Sequence, residues 1–333
     1  MIDFKTIEYN SENNELVILD QTRLPEEEVY LTLRTAEEVC LAIRHMKVRG
    51  APLIGVTAAY GVVLAARTSN QEQIRKACDL LRSARPTAVN LSWAIDRMER
   101  TLSQSNDPFT LLVAEAKAIE REDKAACKSI GDNGAELISD NAKIMVHCNA
   151  GALATSGIGT ALGVIYTAKQ QGKKICVFSC ETRPLLQGAR LTSWELTKNG
   201  IDTFTICDNM AATFMPDMEL VLVGADRIAS NGDVANKIGT RGLAIIANYY
   251  QVPLYVAAPL STFDFTMASG DQIPIEERTD DEVRRFNERC VVAPSAKICN
   301  PAFDVTPSQL VSGIITEQGI ISRPYTDNIA NFK

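Results

Sequence analysis

The sequence predicts an α/β protein with a mostly helical first third and a parallel sheet in the remainder. Apolar residues recur at helical spacing through much of residues 35–139. After about residue 140, short apolar runs alternate with amphipathic segments, a pattern typical of a parallel sheet covered by helices on both faces. We expect two domains, a helical domain with a small antiparallel sheet over residues 1–130 and a catalytic domain over residues 131–333.

The first domain is predicted to begin with two strands and to continue as helices. Residues 12–34 alternate polar and apolar side chains around ELVILDQ and VYLTL, as paired strands do. In TAEEVCLAIRHM, Thr35 precedes Glu38 by three residues, and this capping-box pattern marks the start of a helix. The spacing of apolar residues predicts further helices over approximately 54–69, 70–83, 89–105 and 109–139.

The second domain contains short apolar runs, each followed by polar residues. The predicted strands are KIMVH, KICVFSC, TFTIC, LVLVGAD and PLYVAAP. In sheets of this kind, ligands bind outside the carboxyl ends of the strands. We therefore expect the binding site in the segments that follow, namely HCNAG, ETRPLLQGAR, DNMAA, DRIASNGDVANKIGT and PLSTFD.

Composition and charge argue against several classes of protein. The 34 Lys and Arg against 41 Asp and Glu give a net charge of −7, which disfavours a nucleic-acid partner but leaves small anions possible. The N-terminus lacks a signal-peptide pattern, and no window reaches roughly 18 uncharged apolar residues, so we expect a cytoplasmic protein without a membrane segment. The nine scattered cysteines form no C-x-x-C pair, which predicts free thiols rather than disulfides or a structural zinc site.

The stretch MVHCNAGALATSGIGTALG takes a predicted strand into a glycine-rich turn. Gly157, Gly159 and Gly163 give G-x-G-x-x-x-G, one residue longer than the dinucleotide fingerprint, and residues 148–150 stand where its first glycine belongs. Binding of a nicotinamide or flavin is therefore one interpretation. In a second, the small residues let a helix pack closely on the sheet.

Cys148 could be a nucleophile, a metal ligand, an acid/base thiol or a core residue. The neighbouring His147 would lie on the opposite face of the strand, which disfavours a Cys/His dyad. A metal site is disfavoured as well, because His45 and His147 are the chain's two histidines. We expect Cys148 at a helix N-terminus, where the dipole and free N–H groups favour a thiolate.

Asp226 directly follows an apolar strand, and partial burial there would raise its pKa and suit it to donate a proton at neutral pH. An ion pair with Arg227 or a capping role is the alternative.

Further along, Asn236 and Lys237 are expected to start a helix and hold an anion.

Two arginines precede predicted helix starts. In RGAP, Gly50 after Arg49 allows close backbone approach and Pro52 fits the first helical turn, so the segment predicts an anion cradle. Arg85 stands before another proline and helix start. Gln187, in ETRPLLQGAR, adds polar atoms for phosphate or sugar oxygens. The alternative for each arginine is a solvated surface side chain.

Together, several of these segments resemble the methylthioribose-1-phosphate isomerases, relatives of the ribose-1,5-bisphosphate isomerases and of the regulatory alpha, beta and delta subunits of eukaryotic initiation factor 2B. The matching segments are RGAP, RPTAVNLSWA, HCNAGALATSGIGTALG, ETRPLLQGARLTSWEL, DNMAA and GADRIASNGDVANKIGT. They run in order from residue 49 to about residue 277. The resemblance implies a Rossmann-like second domain with a central parallel sheet, and a homodimer.

The resemblance also implies roles for individual residues. Cys148 and Asp226 would be the catalytic groups. The substrate-binding residues would be Arg49, Gly50, Ala51, Arg85, Gln187, Asn236 and Lys237. One difference is that GADR stands where GTDR is common, which places Ala225 beside the acid. No metal and no cofactor are implied.

The implied activity is an aldose–ketose isomerisation, an intramolecular redox reaction of 5-methylthioribose 1-phosphate in methionine salvage. An aldose with phosphate on its anomeric oxygen cannot open freely, so the enzyme must assist ring opening and move a hydrogen from C2 to C1. A protonated Asp and a thiolate could do so through an enediolate-like intermediate, and a direct hydride shift is the alternative. Two other interpretations assign the enzyme a different substrate, 5-deoxyribose 1-phosphate or ribose 1,5-bisphosphate. A further interpretation is that the protein is a non-catalytic regulatory subunit.

Overall fold

The computed structural model describes residues 2–67, 70–85, 89–104, 108–287 and 289–332. Its N-terminal part packs a three-stranded antiparallel sheet against helices. The strands are β1 (Ile7–Asn10), β2 (Glu15–Leu19) and β3 (Tyr30–Leu33), in the order β1-β2-β3. The helices are α1 (Ala36–Arg44), α2 (Ala51–Ala66), α3 (Gln71–Arg82), α4 (Val89–Leu102) and α5 (Phe109–Ala135). Because α2 is apolar around its circumference, it lies at the centre of this part and is almost wholly buried.

The predicted start of the first helix is confirmed, since Thr35 and Glu38 form both hydrogen bonds of a capping box. The two predicted strands are β2 and β3, and β1 is an additional strand on the edge. Helix α2 begins at Ala51 rather than at residue 54, because Gly50 supplies the turn and Pro52 is compatible with the first helical turn.

The second part is built on a seven-stranded sheet in the order β16-β15-β10-β7-β4-β5-β6. Its strands are β4 (Ala142–Val146), β5 (Ile175–Cys180), β6 (Asp202–Ile206), β7 (Leu220–Val223), β10 (Leu254–Ala257), β15 (Gly313–Thr316) and β16 (Gly319–Ile321). All neighbouring pairs are parallel except β15 with β16. The helices are α6 (Ala161–Gln170), α7 (Ser193–Lys198), α8 (Ala211–Phe214), α9 (Thr240–Tyr249), α10 (Asp281–Arg284) and α11 (Tyr325–Ala330).

The predicted fold class is confirmed, because helical layers and apolar cores cover both faces of this mostly parallel sheet. Helix α5 contributes to two cores. Its first half, including Leu112 and Ile119, belongs to the N-terminal core, whereas Ile130 and Ala135 pack beside the sheet. The division into residues 1–130 and 131–333 stays a prediction.

A smaller sheet lies beside the large one, in the order β11-β8-β9-β14, and the sequence analysis did not predict it. Its strands are β8 (Arg227–Ala229), β9 (Val234–Lys237), β11 (Phe263–Asp264) and β14 (Phe303–Thr306), and a separate hairpin pairs β12 (Arg285–Phe286) with β13 (Arg289–Cys290). Between β8 and β9, Asn231-Gly232 is a dipeptide that favours hairpins, and Gly232 has φ of 84°.

Within the described ranges, no helix combines the length and apolar character needed to cross a membrane. The longest, α5, has 27 residues and carries acidic and basic side chains along its length.

Candidate active site

One cleft of about 850 Å³, counting the space open to solvent, lies at the carboxyl ends of the central strands. The segments after β4, β5, β7 and β10 line it, together with the N-terminus of α2. Every residue singled out from the sequence as catalytic or substrate-binding lines this cleft. These are Arg49, Gly50, Ala51, Arg85, Cys148, Gln187, Asp226, Asn236 and Lys237. The structure therefore brings together side chains that are far apart in the sequence.

The N-terminus of α2 opens on the cleft. Gly50 caps the helix with φ of 92°, and a β carbon there would lie 2.5 Å from Cβ of Ala154. Only glycine fits this contact, which lets the first turn approach the loop that carries Cys148. The unpaired N–H groups at a helix N-terminus attract anions, so this end of α2 is compatible with the anion cradle predicted for RGAP, which stays a prediction.

Arg49 is fixed by Asn149. Its Nη1 donates to Oδ1 of Asn149 at 2.7 Å, and its Nη2 donates to the carbonyl oxygen of the same residue at 2.5 Å. Nδ2 of Asn149 donates to Oγ1 of Thr192 and to Oε2 of Glu195, both at 3.1 Å. Arg49 is therefore held by a chain of hydrogen bonds that ends at a fully buried carboxyl group.

Cys148 lies in the turn after β4, with φ of 63°. Its N–H donates to Oγ1 of Thr182 at 2.8 Å, and its carbonyl oxygen accepts from Oγ1 of Thr192 at 2.6 Å. These two bonds hold a backbone conformation that a non-glycine residue rarely adopts. The expectation that Cys148 lies at a helix N-terminus is wrong, because α6 begins only at Ala161.

Burial raises the pKa of the Cys148 thiol, and the charge of Asp226 raises it further. The positive charges of Arg49 and Lys237 act in the opposite direction. The sequence pattern indicated a helix dipole as the group that favours the thiolate, whereas in the structure two side-chain cations oppose the rise in pKa that burial causes.

The glycines of the turn serve packing. A β carbon at Gly159, where φ is 90°, would lie 2.4 Å from the carbonyl carbon of Gly151, and one at Gly157 would lie 2.9 Å from Cβ of Cys127 in α5. Gly157, Gly159 and Gly163 do not line the cleft. Their resemblance to a dinucleotide loop therefore reflects close contacts of the turn with itself and with α5.

Asp226 follows β7, the strand next to β4, and also lines the cleft. Its N–H donates to the carbonyl oxygen of Ala235 at 2.9 Å, at the open end of the β8–β9 hairpin. Burial raises the pKa of its carboxyl group, as the sequence analysis expected, while Lys237, Arg85 and Arg49 oppose that rise. The adjacent Arg227 pairs with Asp264 at 3.4 Å.

Asn236 and Lys237 belong to β9, so the prediction that they start a helix is wrong. Both residues pair with β14, and α9 begins at Thr240, after the left-handed Gly239. Nζ of Lys237 donates to the carbonyl oxygen of Ala302 at 2.9 Å and lies 4.2 Å above the ring of Phe303. Burial lowers the pKa of Lys237, and the nearby Cys148 and Asp226 raise it.

Two further predicted residues complete the cleft. Gln187 is buried, and its Oε1 has no hydrogen-bond partner among the described residues, so an acceptor is left for a bound ligand. Arg85 pairs through Nη2 with Glu276 at 3.2 Å. Residues 86–88 of the RPTAVN motif lie outside the described residues.

Among the described residues, one group of side chains has the composition and spacing of possible metal ligands. His147, Cys180 and Asp208 each place a ligand atom within 4.8 Å of the others. Nε2 of His147 is hydrogen-bonded to the carbonyl oxygen of Ile238, and the carboxylate of Asp208 accepts the backbone N–H groups of Thr182 and residue 183. The side chains of His147 and Asp208 therefore already serve as structural hydrogen-bond partners.

Sequence reasoning missed the residues that position the others. Thr182, Thr192 and Glu195 lie within the quoted motif ETRPLLQGARLTSWEL, yet their spacing indicates no function by itself. Arg278 also lines the cleft, and no pattern marks it.

We call Arg49, Cys148 and Asn149 with their partners Thr182, Thr192 and Glu195 the Cys148 wall. The Asp226 wall consists of Asp226, Asn236 and Lys237.

Known proteins are similar to this chain over almost its whole length. The sequence profile of the Initiation factor 2 subunit family matches residues 47–323. A methylthioribose-1-phosphate isomerase from Caldicellulosiruptor saccharolyticus is 48% identical and covers 98% of each chain. One from Carboxydothermus hydrogenoformans is 52% identical and covers 95% of this chain and 96% of its own length.

Solved structures are similar as well. The 5-methylthioribose 1-phosphate isomerase from Pyrococcus horikoshii OT3 has a TM-score of 0.90 and 41% identity, covering 98% of this chain and 95% of that one. A structure described as the delta subunit of translation initiation factor eIF-2B from A. fulgidus has a TM-score of 0.90 and 40% identity over 99% of both chains. The resemblance carried by the motifs is confirmed, and the chain belongs to the methylthioribose-1-phosphate isomerase family, within the wider Initiation factor 2 subunit family.

Proposed function

We propose that this protein is an aldose–ketose isomerase that converts 5-methylthioribose 1-phosphate into 5-methylthioribulose 1-phosphate in methionine salvage. The observation that carries the proposal is the placement of Cys148 and Asp226 in one cleft, with the charge of Lys237 acting on both groups. An acid and a thiol of adjustable protonation are what the reaction requires. The names of the full-length relatives support the same substrate.

The substrate's phosphate would bind among the cations of the cleft. Arg49, Arg85 and Lys237 supply positive charge, and the N-terminus of α2 at Gly50 and Ala51 supplies N–H groups. The amides of Gln187 and Asn236 complete the set. These groups fix the anomeric carbon near the thiol and the carboxyl group.

Ring opening uses Asp226. Its raised pKa favours the protonated form, which donates its proton to the ring oxygen as the bond between C1 and that oxygen breaks. The thiolate of Cys148 then removes the proton from C2, and the electron pair of the C–H bond forms a C1–C2 double bond. The intermediate is an enol phosphate, and the positive charge of Lys237 stabilises the thiolate before the transfer.

The second half of the reaction returns both catalytic groups to their starting states. The Cys148 thiol gives its proton to C1, while the carboxylate of Asp226 takes the hydroxyl proton from O2. The carbon C2 becomes the ketone, so one hydrogen has moved from C2 to C1 without an external oxidant or reductant.

The test is to assay Cys148→Ser and Asp226→Asn on 5-methylthioribose 1-phosphate. General acid–base groups contribute about 10²–10⁴-fold, so we expect kcat to fall by that factor in each variant. Cys207→Ser and Asp217→Asn are matched controls at exposed positions and should retain full activity. Near wild-type turnover by either folded site variant would contradict the proposed roles.

Solvent isotope incorporation separates the proton carrier from a direct hydride shift. In D₂O, a Cys148 thiol that exchanges with solvent places deuterium at C1 of the product, which NMR detects. A direct shift carries the original hydrogen to C1, so solvent deuterium at C1 of the product would contradict a direct shift and support the thiol as carrier.

A regulatory role is the second candidate, because the A. fulgidus structure with similar sequence and fold carries the name of an initiation-factor subunit. Such a role requires phosphosugar binding at most, and no acid–base pair. Tight binding without turnover by the purified wild-type protein would favour it over the isomerase.

We also propose that the protein works as a homodimer in the cytoplasm. All nine cysteines are free thiols, which is typical of a reducing compartment. Exposed apolar side chains on β6 and α9, including Phe204, Ile245 and Tyr249, offer surface for a second copy. Sedimentation equilibrium should give twice the mass of the chain, and a monomer at micromolar concentration would contradict the dimer.

A further inference from the structure

We propose that His147 is a positioning residue, which joins the end of β4 to the end of β9 and so keeps Lys237 close to the thiol of Cys148. This inference rests on the proposed function. Nε2 of His147 lies 2.8 Å from the carbonyl oxygen of Ile238. His147 directly precedes Cys148, and Ile238 directly follows Lys237. The bond therefore connects the Cys148 wall to the Asp226 wall.

The direction of this bond fixes the tautomer of the imidazole ring. A carbonyl oxygen can only accept, so Nε2 of His147 carries the hydrogen and donates it. The side chain is 4% exposed, and burial lowers its pKa, although the bond to Ile238 and the charges of Asp208 and Asp304 act in the opposite direction. The lowered pKa favours a neutral ring at neutral pH. His147 therefore holds Ile238 without adding a positive charge beside the thiol.

The chain around Ile238 leaves room for the imidazole. Gly239 has φ of 102°, and a β carbon there would lie 2.9 Å from Cε1 of His147 and 3.1 Å from its Nε2. A residue larger than glycine would displace the ring. The N–H of Ile238 donates to the carbonyl oxygen of Ala302 at 3.1 Å, just before β14. Ile238 is therefore bonded on one side to the small sheet and on the other to the end of β4.

This connection matters because Lys237 acts on the thiol through its charge. Burial raises the pKa of the Cys148 thiol, and the charge of Asp226 raises it as well. The charges of Arg49 and Lys237 lower it. Arg49 is bonded within the Cys148 wall, whereas Nζ of Lys237 donates to the carbonyl oxygen of Ala302. The distance from Lys237 to the thiol thus depends on how the small sheet is held against β4.

The experiment measures the pH dependence of Cys148 alkylation by iodoacetamide, read by mass spectrometry, together with kcat/KM. His147→Gln and His147→Met have side chains of equal length, but only glutamine keeps a donor at the position of Nε2. His147→Met should shift the alkylation profile to higher pH and lower kcat/KM by up to about a hundredfold, because Lys237 is no longer held near the thiol. His147→Gln should restore the wild-type profile.

His147→Asn places its amide one bond nearer to the backbone, out of reach of Ile238. It should behave like His147→Met, and it tests the bond even if the methionine variant unfolds. His45→Met, at the exposed histidine that ends α1, is the matched control and should leave the profile in place. A wild-type profile in the folded methionine or asparagine variant would overturn the proposal, as would an equal shift in His147→Gln.

The effect must also pass through Lys237. Adding His147→Met to Lys237→Met should displace the profile no further than Lys237→Met alone, because the charge is already absent. A full additional shift would mean that His147 acts on the thiol by another route, and would overturn the proposal. Alkylation requires no sugar, so these results stand apart from a failure of the proposed function, in which no sugar would be isomerised.

Discussion

The Cys148 wall is held by side chains, whereas the Asp226 wall is held by strand pairing. In the Cys148 wall, Thr182 and Thr192 bind the backbone of Cys148, and Glu195 orients Asn149 and through it Arg49. In the Asp226 wall, Asn236 and Lys237 are part of β9, which pairs with β8 on one side and β14 on the other. Both walls reach the same cleft by different means.

The two kinds of support, side-chain hydrogen bonds and strand pairing, differ in how strongly a substitution disturbs them. A backbone ladder tolerates most changes of a side chain, because its hydrogen bonds use atoms that every residue except proline has. A buried side-chain network loses several bonds when one member changes, and the remaining donors are left unsatisfied. We therefore expect substitutions in the supports of the Cys148 wall to have larger effects than those in the supports of the Asp226 wall.

The largest effect is expected from Gly151→Ala. A β carbon at this position would lie 1.6 Å from Oε1 of Glu195, and that carboxyl group is fully buried. The clash must displace Glu195 and with it the bonds to Ala152, Leu153 and Asn149. We expect a loss of at least about 3 kcal/mol in the free energy of unfolding, measured by urea denaturation.

Gly242→Ala is the matched control. Gly242 lies in α9, and a β carbon there meets nothing within 4 Å. Alanine should stabilise the helix by about 0.5–1 kcal/mol. If Gly151→Ala were as stable as this control, the Glu195 network would not be the rigid support described above.

Glu195→Gln tests the same network without adding volume. Glu195 accepts the N–H groups of Ala152 and Leu153, Nδ2 of Asn149 and the hydroxyl of Tyr166. An amide cannot accept at both of its terminal atoms, so at least one buried donor is left facing another donor. We expect a loss of about 2 kcal/mol at pH 5 and a higher KM, because Arg49 is no longer held.

The effect of Glu195→Gln should depend on pH. Burial raises the pKa of Glu195 above its ordinary value. A carboxyl group with a raised pKa contributes stability that is complete below the unfolded pKa and is lost as the pH rises through the folded pKa. Glutamine does not titrate, so the difference between the two proteins should shrink as the pH rises above the ordinary pKa range of a glutamate carboxyl group. A constant difference would mean that the pKa of Glu195 is not raised.

Thr240→Val supplies the comparison from the other wall. Oγ1 of Thr240 accepts from Nδ2 of Asn236 and donates to the carbonyl oxygen of Lys237. We expect a loss of about 1 kcal/mol with KM nearly unchanged, since β9 stays paired. A larger effect here than in Glu195→Gln would reverse the proposed order of the two walls.

The sequence predicted the strands of the large sheet that carry the cleft, because buried parallel strands are continuous apolar runs. It did not predict β8, β9 and β14, which have three or four residues each and contain polar side chains such as Asn236 and Asp304. The turn signal Asn231-Gly232 was present, and it indicated the hairpin more reliably than the polar composition around it. The helix α9 begins only after β9, where Asp304 accepts the N–H groups of Gly239 and Arg241.

The members of the site could be predicted from the sequence, but their surroundings could not. Cys148 and Asp226 follow apolar strands, and that position indicates a ligand site in a parallel sheet. The pKa of the Cys148 thiol depends on Arg49 and Lys237, which are about a hundred residues earlier and 89 residues later in the chain. A local sequence pattern does not show that these two cations lie near Cys148, because their proximity in space depends on the tertiary fold.

The smallest expected effect links the two walls. Lys237 belongs to the Asp226 wall, yet its charge lowers the pKa of Cys148. Replacing it in Lys237→Met removes that charge, so the pKa of the Cys148 thiol should rise. Less thiolate is then present at neutral pH, and iodoacetamide should modify Cys148 more slowly, with the rate profile displaced to higher pH.

Mass spectrometry of the Cys148 peptide gives this profile separately from the other cysteines, and the exposed Cys207 serves as an internal reference. Lys76→Met, at an exposed lysine of α3, is the matched control and should leave the Cys148 profile in place. An unchanged profile in Lys237→Met would mean that the two walls titrate independently. The thiolate would then depend on Arg49 alone, and proton transfer would be controlled within the Cys148 wall.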